Sequence, residues 1–362
     1  MIKVTTINRD LGVIPLKEKS AAIIYAVLAA LFYAINTPVS KILLNNIPVT
    51  FMAAFLYLGA GIGVGTMYLF HWKKEKPEER LAGSDLPYTI GMVVLDIAAP
   101  IFMMLGIKLG TASSASLLGN FEIVATSLIA LCIFKEAVSG RLWAAIGFIS
   151  ASSFLLSFEE IGSFRFSIGS LFVILATVCW GLENNCTRKI SEKSTYQIVM
   201  IKGIFSGIGS FVIAVITGEK LPSVMYIAIA MLLGFVAYGL SIFTYIRAQR
   251  TLGAAKTSAY YALAPFMSAF LAFVFVGEKL SGGFLSALAF MLIGTVLVVS
   301  DTLVKRHSHP HKHKITHTHD GVTHTHILEH SHSHSHFSGE NEHNHKHSKK
   351  ETDEMLLKAH RL

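Results

Sequence analysis

Four ionisable residues stand inside long apolar runs: Asp96, Glu122, Glu183 and Lys202. A charged group at the centre of a bilayer-spanning helix costs about 2.5–3.5 kcal/mol on insertion scales, so each needs a partner or a task. Carboxylates lining a cavity would bind the cationic group of a solute or carry a proton. The rival expectation pairs them with Lys202, or with Asn and Ser neighbours, as a closed structural network. Lys202 stands about two turns into its run, near enough to the end for its ammonium to reach the interface. Asn36, two residues before Pro38, either lines a cavity or bonds a carbonyl that Pro38 frees. Asn120 lies ~200° round a helix from Glu122, so the two do not share a face. Trp180, Tyr238, Tyr260 and Tyr261 are candidate cavity walls, against the commoner roles of packing and interfacial anchoring. Pro38, Pro100 and Pro265 are candidate helix breaks.

The runs that carry these residues decide the fold class. Hydrophobic residues make up 52% of the 362 and charged residues 15%, against about 25% charged in soluble domains. Crossing the roughly 30 Å hydrocarbon core takes about 20 apolar residues. Ten runs qualify: 21–44, 51–70, 87–107, 112–134, 141–158, 166–186, 196–217, 223–246, 254–276 and 283–303. Backbone groups in lipid must be satisfied within the segment, so helices are expected. Residues 1–20 are polar and too charged for a secretory signal. Cys132, Cys179 and Cys186 form no Cys-x-x-Cys pair and read as small packing residues.

Internal similarity organises the spans. The stretch 109–140 returns at 252–282: Glu136, Ser139 and Gly140 match Glu278, Ser281 and Gly282 at an offset of 142, and Leu109-Gly110 matches Leu252-Gly253 at 143. Phe32-Tyr33-Ala34-x-Asn36 matches Cys179-Trp180-Gly181-x-Glu183 at 147. The repeats are therefore 21–158 and 166–303, five spans each. Five is odd, so the second copy enters the membrane from the opposite side. With both termini in the cytoplasm, 18 Lys and Arg fall on the inner side and 5 on the outer, which is the positive-inside bias. The net charge of +8 thus reports orientation, and no nucleic-acid partner is expected. Glu136 and Glu278 read as structural groups at helix junctions. The pairs Gly59–Gly63, Gly61–Gly65 and Gly203–Gly207 read as close helix crossings.

The repeated helix–Glu-x-x-Ser-Gly–helix unit, the five-plus-five plan and the basic inner loops resemble the drug/metabolite transporter superfamily, in particular EamA-domain proteins. The resemblance covers 21–303. It implies an all-α membrane protein of ten transmembrane helices in two inverted five-helix EamA-type repeats around a central cavity. It also implies alternating access that moves small metabolites or amino acids, often outward. Typical copies carry a Glu-Pro or similar pair in the fourth helix of each repeat. Here Glu122 is followed by Ile123, and Pro265 is preceded by Ala264. That divergence suggests that one copy keeps the charge and the other the helix break.

From 304 to 362 the chain changes character. It carries 16 of the 17 histidines, among them His307, His309, His311, His313, His317, His319, His324, His326, His330, His332, His334, His336, His343, His345 and His347. The tract has no apolar periodicity and cannot build a core, so it is expected to be a cytoplasmic tail that is disordered when free of ligand. Neutral imidazoles suit Zn²⁺, Ni²⁺, Co²⁺ and Cu²⁺.

The leading expectation is a secondary transporter of small organic metabolites or amino acids in the cell membrane. One alternative is a divalent transition-metal transporter of the same fold, its tail collecting or sensing the ion. Another is a membrane-anchored metal-binding or sensor protein that transports nothing. The partners are a small-molecule substrate and the bilayer; the chain is a monomer or a homodimer. No cofactor is required, and an enzyme is not expected: there is no Ser-His-Asp set, no phosphate loop and no His-Glu-x-x-His. The glycines of Gly61-Ile62-Gly63-Val64-Gly65 lack the strand–turn–helix setting of a nucleotide loop.

Overall fold

The structure is a computed structural model that describes residues 3–6, 16–135, 138–157, 167–252, 257, 260–279, 281–319 and 322–337. It divides into two compact units, Lys19–Asp301 and a second that joins Met1–Glu18 to Thr302–Leu362.

The larger unit is helical. Its helices are α1 (Leu16–Ala34), α2 (Asn36–Leu43), α3 (Val49–Leu69), α4 (Leu86–Leu109), α5 (Ala112–Leu118), α6 (Phe121–Phe134), α7 (Gly140–Leu156), α8 (Ile168–Lys189), α9 (Thr195–Ile216), α10 (Val224–Gly234), α11 (Ser241–Leu252), α12 (Ala264–Val276) and α13 (Gly282–Leu303). A π-helical segment, Phe235–Leu240, joins α10 to α11. Among the described residues, eight stretches are long and apolar enough to cross a membrane, and Gly140–Leu156 and Ala264–Val276 are shorter apolar helices. Together they are the ten expected spans. Large apolar side chains such as Val94, Phe154, Phe205, Phe270 and Val296 are exposed; hydrocarbon is the solvent that suits such a surface.

The two repeats run in opposite directions. α3 and α9 are the second helices of their repeats, and they pack antiparallel. A Cβ built on Gly61 would lie 2.5 Å from the Ile204 nitrogen, and one on Gly207 would lie 2.8 Å from the Leu58 nitrogen. Equivalent helices that cross head to tail are the consequence of an odd number of spans per repeat. The glycines expected at crossings are there for that reason: without side chains, the backbones meet directly. Gly59 and Gly234 likewise sit against the main chains of Met231 and Leu56.

Helix breaks fall at matched places. The fourth span of the first repeat breaks at Gly119-Asn120, between α5 and α6. The fourth span of the second breaks at Ala262-Leu263, just before α12, at an offset of 143. Pro265 then occupies the first turn of α12, where its missing N–H is harmless. The expected division of labour is therefore corrected: both copies break, and the first does so at glycine rather than proline. The two broken spans meet where Ser116 and Ser268 hydroxyls lie 2.9 Å apart. The first span breaks at Ile35, three residues before Pro38. Pro100 departs from expectation. It lies inside α4, which continues to Leu109 without a break, as membrane helices allow when neighbours re-satisfy the freed carbonyl.

The repeated Glu-x-x-Ser-Gly turn has one local explanation in both copies. The fourth helix ends on a left-handed residue, Lys135 (φ 56°) or Gly277 (φ 71°). Ser139 Oγ then accepts the Leu142 N–H at 3.0 Å, and Ser281 Oγ accepts the Phe284 N–H at 3.1 Å. Each serine caps the fifth helix of its repeat.

The second unit contains β1 (Lys3–Thr6), β2 (Val304–His319) and β3 (Val322–Phe337), an antiparallel sheet in the order β1-β2-β3. Two of these strands lie in the stretch expected to be disordered when free of ligand. The histidines recur every second position among Thr and Ser, the period of a strand. The register pairs His319 with Val322; residues 320–321 lie outside the described residues. His343, His345 and His347 lie outside the described residues, as does Glu136.

The antiparallel crossing sets a stability test. Gly61→Val and Gly203→Val should each lower the detergent-solubilised protein's stability by about 1–3 kcal/mol, the usual cost of overpacking. Gly147→Ala meets nothing within 4 Å and should leave the thermal midpoint unchanged. Equal midpoints for all three would contradict the crossing.

Candidate functional site

Three helices bring opposite charges together in the interior. α9 supplies Lys202, α4 supplies Asp96 and α8 supplies Glu183. The Lys202 ammonium lies 3.0 Å from Asp96 Oδ2 and 3.1 Å from Glu183 Oε2. The two carboxylates are 0% and 2% exposed, whereas the Lys202 side chain is 22% exposed. Lys202 therefore does not reach for the interface, as its place in the sequence suggests. Two carboxylates hold it inward, because two unpaired carboxylates in that interior would cost more than burying the ammonium.

Around this centre the remaining polar atoms are matched. Tyr57 on α3 donates its hydroxyl to Asp96 Oδ1 at 3.0 Å, and Trp180 Nε1 donates to the Tyr57 oxygen at 3.3 Å. Thr187, one turn along α8, donates to Glu183 Oε1. Glu122 on α6 stands next to this group. Its Oε1 accepts from Asn184 Nδ2 at 2.6 Å, and Asn184 also reaches Thr126 Oγ1 at 3.3 Å. Asn120, at the helix break, is buried, and its Nδ2 has no hydrogen-bond partner among the described residues.

Asn36 meets neither sequence expectation in full. Its amide donates to Tyr238 Oη at 3.1 Å, and its carbonyl oxygen accepts from Ser40 Oγ at 3.3 Å. Tyr238 lies on the π-helical segment and packs with Tyr57 and Tyr33 at centroid distances of 5.5 and 5.8 Å. Tyr261 joins through Tyr33 at 5.8 Å, and its hydroxyl is 3.4 Å from Ser241 Oγ. Tyr260 is half-buried and is not part of this set of rings.

The inverted repeat relates the charged group to a neutral one. Asn36 answers Glu183 at an offset of 147, Tyr238 answers Asp96 at 142, and Tyr57 answers Lys202 at 145. The first, second and third helices of each repeat thus converge on a polar triad. One triad is ionic and the other is two phenols and an amide. The Tyr57–Asp96 hydrogen bond joins them.

Charged groups tie helix ends on one side of this centre. Glu219 accepts the Thr50 and Phe51 N–H groups at 3.1 and 3.0 Å. Glu278 accepts the Ala112 and Ser113 N–H groups at 2.6 and 2.9 Å. Lys41 donates to the Ile107 and Gly110 carbonyls at 2.7 and 2.6 Å. Carboxylates sit at helix starts and the ammonium at a helix end, as the helix dipole favours. Glu278 is thus a junction residue, as expected. On the opposite side a cavity of ≈ 490 Å³ opens between the repeats, lined in part by His71, Glu75, Tyr196 and Arg247.

Two inverted five-helix repeats enclosing a paired charge centre define a multi-pass membrane transporter. The chain belongs to the EamA-like transporter family, which matches at residues 20–158 and again at 167–300. An uncharacterized transporter of Methanothermobacter thermautotrophicus is 24% identical over 277 residues, covering 70% of this chain and 78% of the relative. One of Clostridium kluyveri is 25% identical over 229 residues, covering 60% and 73%. The uncharacterized transporter YyaM of Bacillus subtilis is 24% identical over 207 residues, covering 55% and 65%. A solved crystal structure shares the fold at a TM-score of 0.58 and 16% identity, covering 78% of this chain and 97% of its own.

The charge centre makes an ordered prediction for stability. Lys202→Met alone should cost about 3–5 kcal/mol, because it strands two buried carboxylates. Adding Asp96→Asn and Glu183→Gln should recover most of that loss. Thermal unfolding in detergent reads the order, and a triple variant no more stable than Lys202→Met would refute the pairing.

Proposed function

We propose that this protein is a secondary transporter of small organic metabolites, amino acids foremost, working by alternating access in the cell membrane. The observation that carries the proposal is Lys202 held between Asp96 and Glu183, at a site assembled from both repeats. An ammonium and two carboxylates offer complementary contacts to a zwitterion: Lys202 for its carboxylate, and a carboxylate for its amino group. Aromatic rings alongside, Trp180, Tyr57 and Tyr238, would pack its apolar part. When all three charged groups are ionised, one negative charge is in excess. A proton or the solute's own cationic group then balances it, which couples loading to charge.

The end at Thr50, Ala112 and Gly110, where a cavity of ≈ 620 Å³ opens beside Thr111, Ser113 and Lys279, reads as the outer side, and the cavity near His71 and Arg247 as the cytoplasmic mouth. That orientation rests on the Lys and Arg bias of the loops, with both termini inside. Outward movement follows from the family resemblance. The metal-transport alternative finds less support: the space between Asp96 and Glu183 is filled by an ammonium, and no group of three or more His, Cys, Asp or Glu forms among the described residues.

Proteoliposome uptake of a panel of amino acids and metabolites tests the reading. Asp96→Asn and Glu183→Gln should each slow transport roughly 10–150-fold, the equivalent of a lost charged hydrogen bond of about 1.5–3 kcal/mol. Wild-type rates in both variants would reject the carboxylate mechanism.

A further inference from the structure

The cavity beside His71 and Arg247 has a charge pattern of its own. Its walls come from both repeats: Glu75 and Glu79 lie between α3 and α4, Glu192 and Lys193 between α8 and α9, Tyr196 in the first turn of α9, and Phe243 and Arg247 on α11. Two of its charges are spent on structure. Glu75 is buried and accepts from Tyr68 Oη at 2.6 Å and Gln197 Nε2 at 3.3 Å, with Arg80 Nε 3.7 Å away. Lys193 Nζ donates to the Glu78 carbonyl at 3.2 Å and lies 3.7 Å from Asp85 Oδ2. Glu79, Glu192 and Arg247 remain. All three are exposed, and none enters a salt bridge among the described residues. Arg247 is nonetheless a positioned cation. Its guanidinium carbon stands 5.6 Å from the centre of the Tyr25 ring and 5.8 Å from that of Phe243, within the roughly 6 Å reach of a cation–π contact. Contacts through ring faces leave the guanidinium fork for a carboxylate, whose geometry it matches. His71 packs on Tyr196 at a centroid distance of 5.1 Å, and Tyr196 lies 6.3 Å from Phe243, so aromatic surface adjoins the guanidinium.

We propose that this cavity is a second binding site for a zwitterionic solute, which it captures at the mouth before the solute reaches the charge centre. Arg247 takes the carboxylate, Glu79 and Glu192 attract the ammonium group, and Tyr196 and Phe243 cover the apolar part. The set repeats the chemistry of the centre, a cation, two carboxylates and aromatic rings, in a setting open to water. At ≈ 490 Å³ the cavity falls within the about 300–1,000 Å³ of small-molecule sites. Tyr196 and Lys202 share α9 and stand about 9 Å apart along its axis, so the two sites are a short step from one another. Water at the mouth weakens each charge contact, which suits capture and release rather than tight holding. The inference rests on the reading of the charge centre as a site for zwitterions.

The test reads binding rather than transport, which separates this site from the one at the centre. Saturation-transfer NMR of the purified full-length protein follows a mixture of the standard amino acids, with thermal midpoints showing that each variant is folded. The triple variant Lys202→Met, Asp96→Asn, Glu183→Gln has no central charges and should still bind members of the mixture. Arg247→Met, added to the triple variant, should weaken that remaining binding by about tenfold or more, the scale of a lost charged hydrogen bond. Glu79→Gln with Glu192→Gln, at exposed positions, should weaken it as well. A triple variant that binds nothing the wild type binds would overturn the site at the mouth and leave the central one standing. Binding to the triple variant that survives Arg247→Met unchanged would overturn the proposal too. A wild type that binds none of the mixture would defeat both readings.

Discussion

The ammonium of Lys202 has to be shared between Asp96 and Glu183, and the interior of the molecule is arranged around that necessity. Neither carboxylate has access to water, and burial of an unpaired carboxylate is among the most costly things a fold can do. The three side chains come from α4, α8 and α9, so the helices must meet at fixed depth and fixed rotation. Glycines make that possible. Gly61 and Gly203 allow α3 and α9 to touch along their backbones, and Gly106 and Gly169 let α4 approach α8. The charge centre and the close crossings are thus two aspects of one constraint: the pair can only be short if the helices are close.

The inverted repeat gives this centre a neutral counterpart built from Asn36, Tyr57 and Tyr238. The two triads occupy related places, so a solute between them meets charge on one side and phenol and amide on the other. Such asymmetry suits a molecule with an ionic end and an apolar or hydroxylated end. Breaks in the first and fourth spans, and the π-helical segment beneath Tyr238, are where the helices depart from regularity next to the site. A transporter that must exchange one closed end for another needs such irregularities, because packed regular helices do not bend smoothly.

Much of this was legible in the sequence, for identifiable reasons. Long apolar runs and a five-span repeat fix the helices and their inversion, since lipid allows few other solutions. Asp96, Glu122, Glu183 and Asn36 stood out because a polar group in an apolar run is conspicuous. Lys202 was conspicuous too, but its nearness to a helix end pointed to the interface, and only the partners across space decide between the two. Tyr33 and Tyr57 were missed as site residues because a tyrosine in a membrane helix is ordinary. The signal was present in the repeat: Tyr33 matches Trp180 at an offset of 147, and a two-residue shorter offset in the second helix, 145, carries Lys202 onto Tyr57.

A structural role and a functional role for the charge centre make opposite demands on one protein, the triple variant Lys202→Met, Asp96→Asn, Glu183→Gln. It keeps the packing and removes the charge. Counterflow in proteoliposomes, with wild-type protein and the variant reconstituted at equal amounts and unfolding midpoints measured alongside, separates the roles. The account predicts a folded variant that exchanges none of the solute moved by the wild type. A folded variant that exchanges it at the wild-type rate would reduce the centre to a structural pair and place the transport site elsewhere.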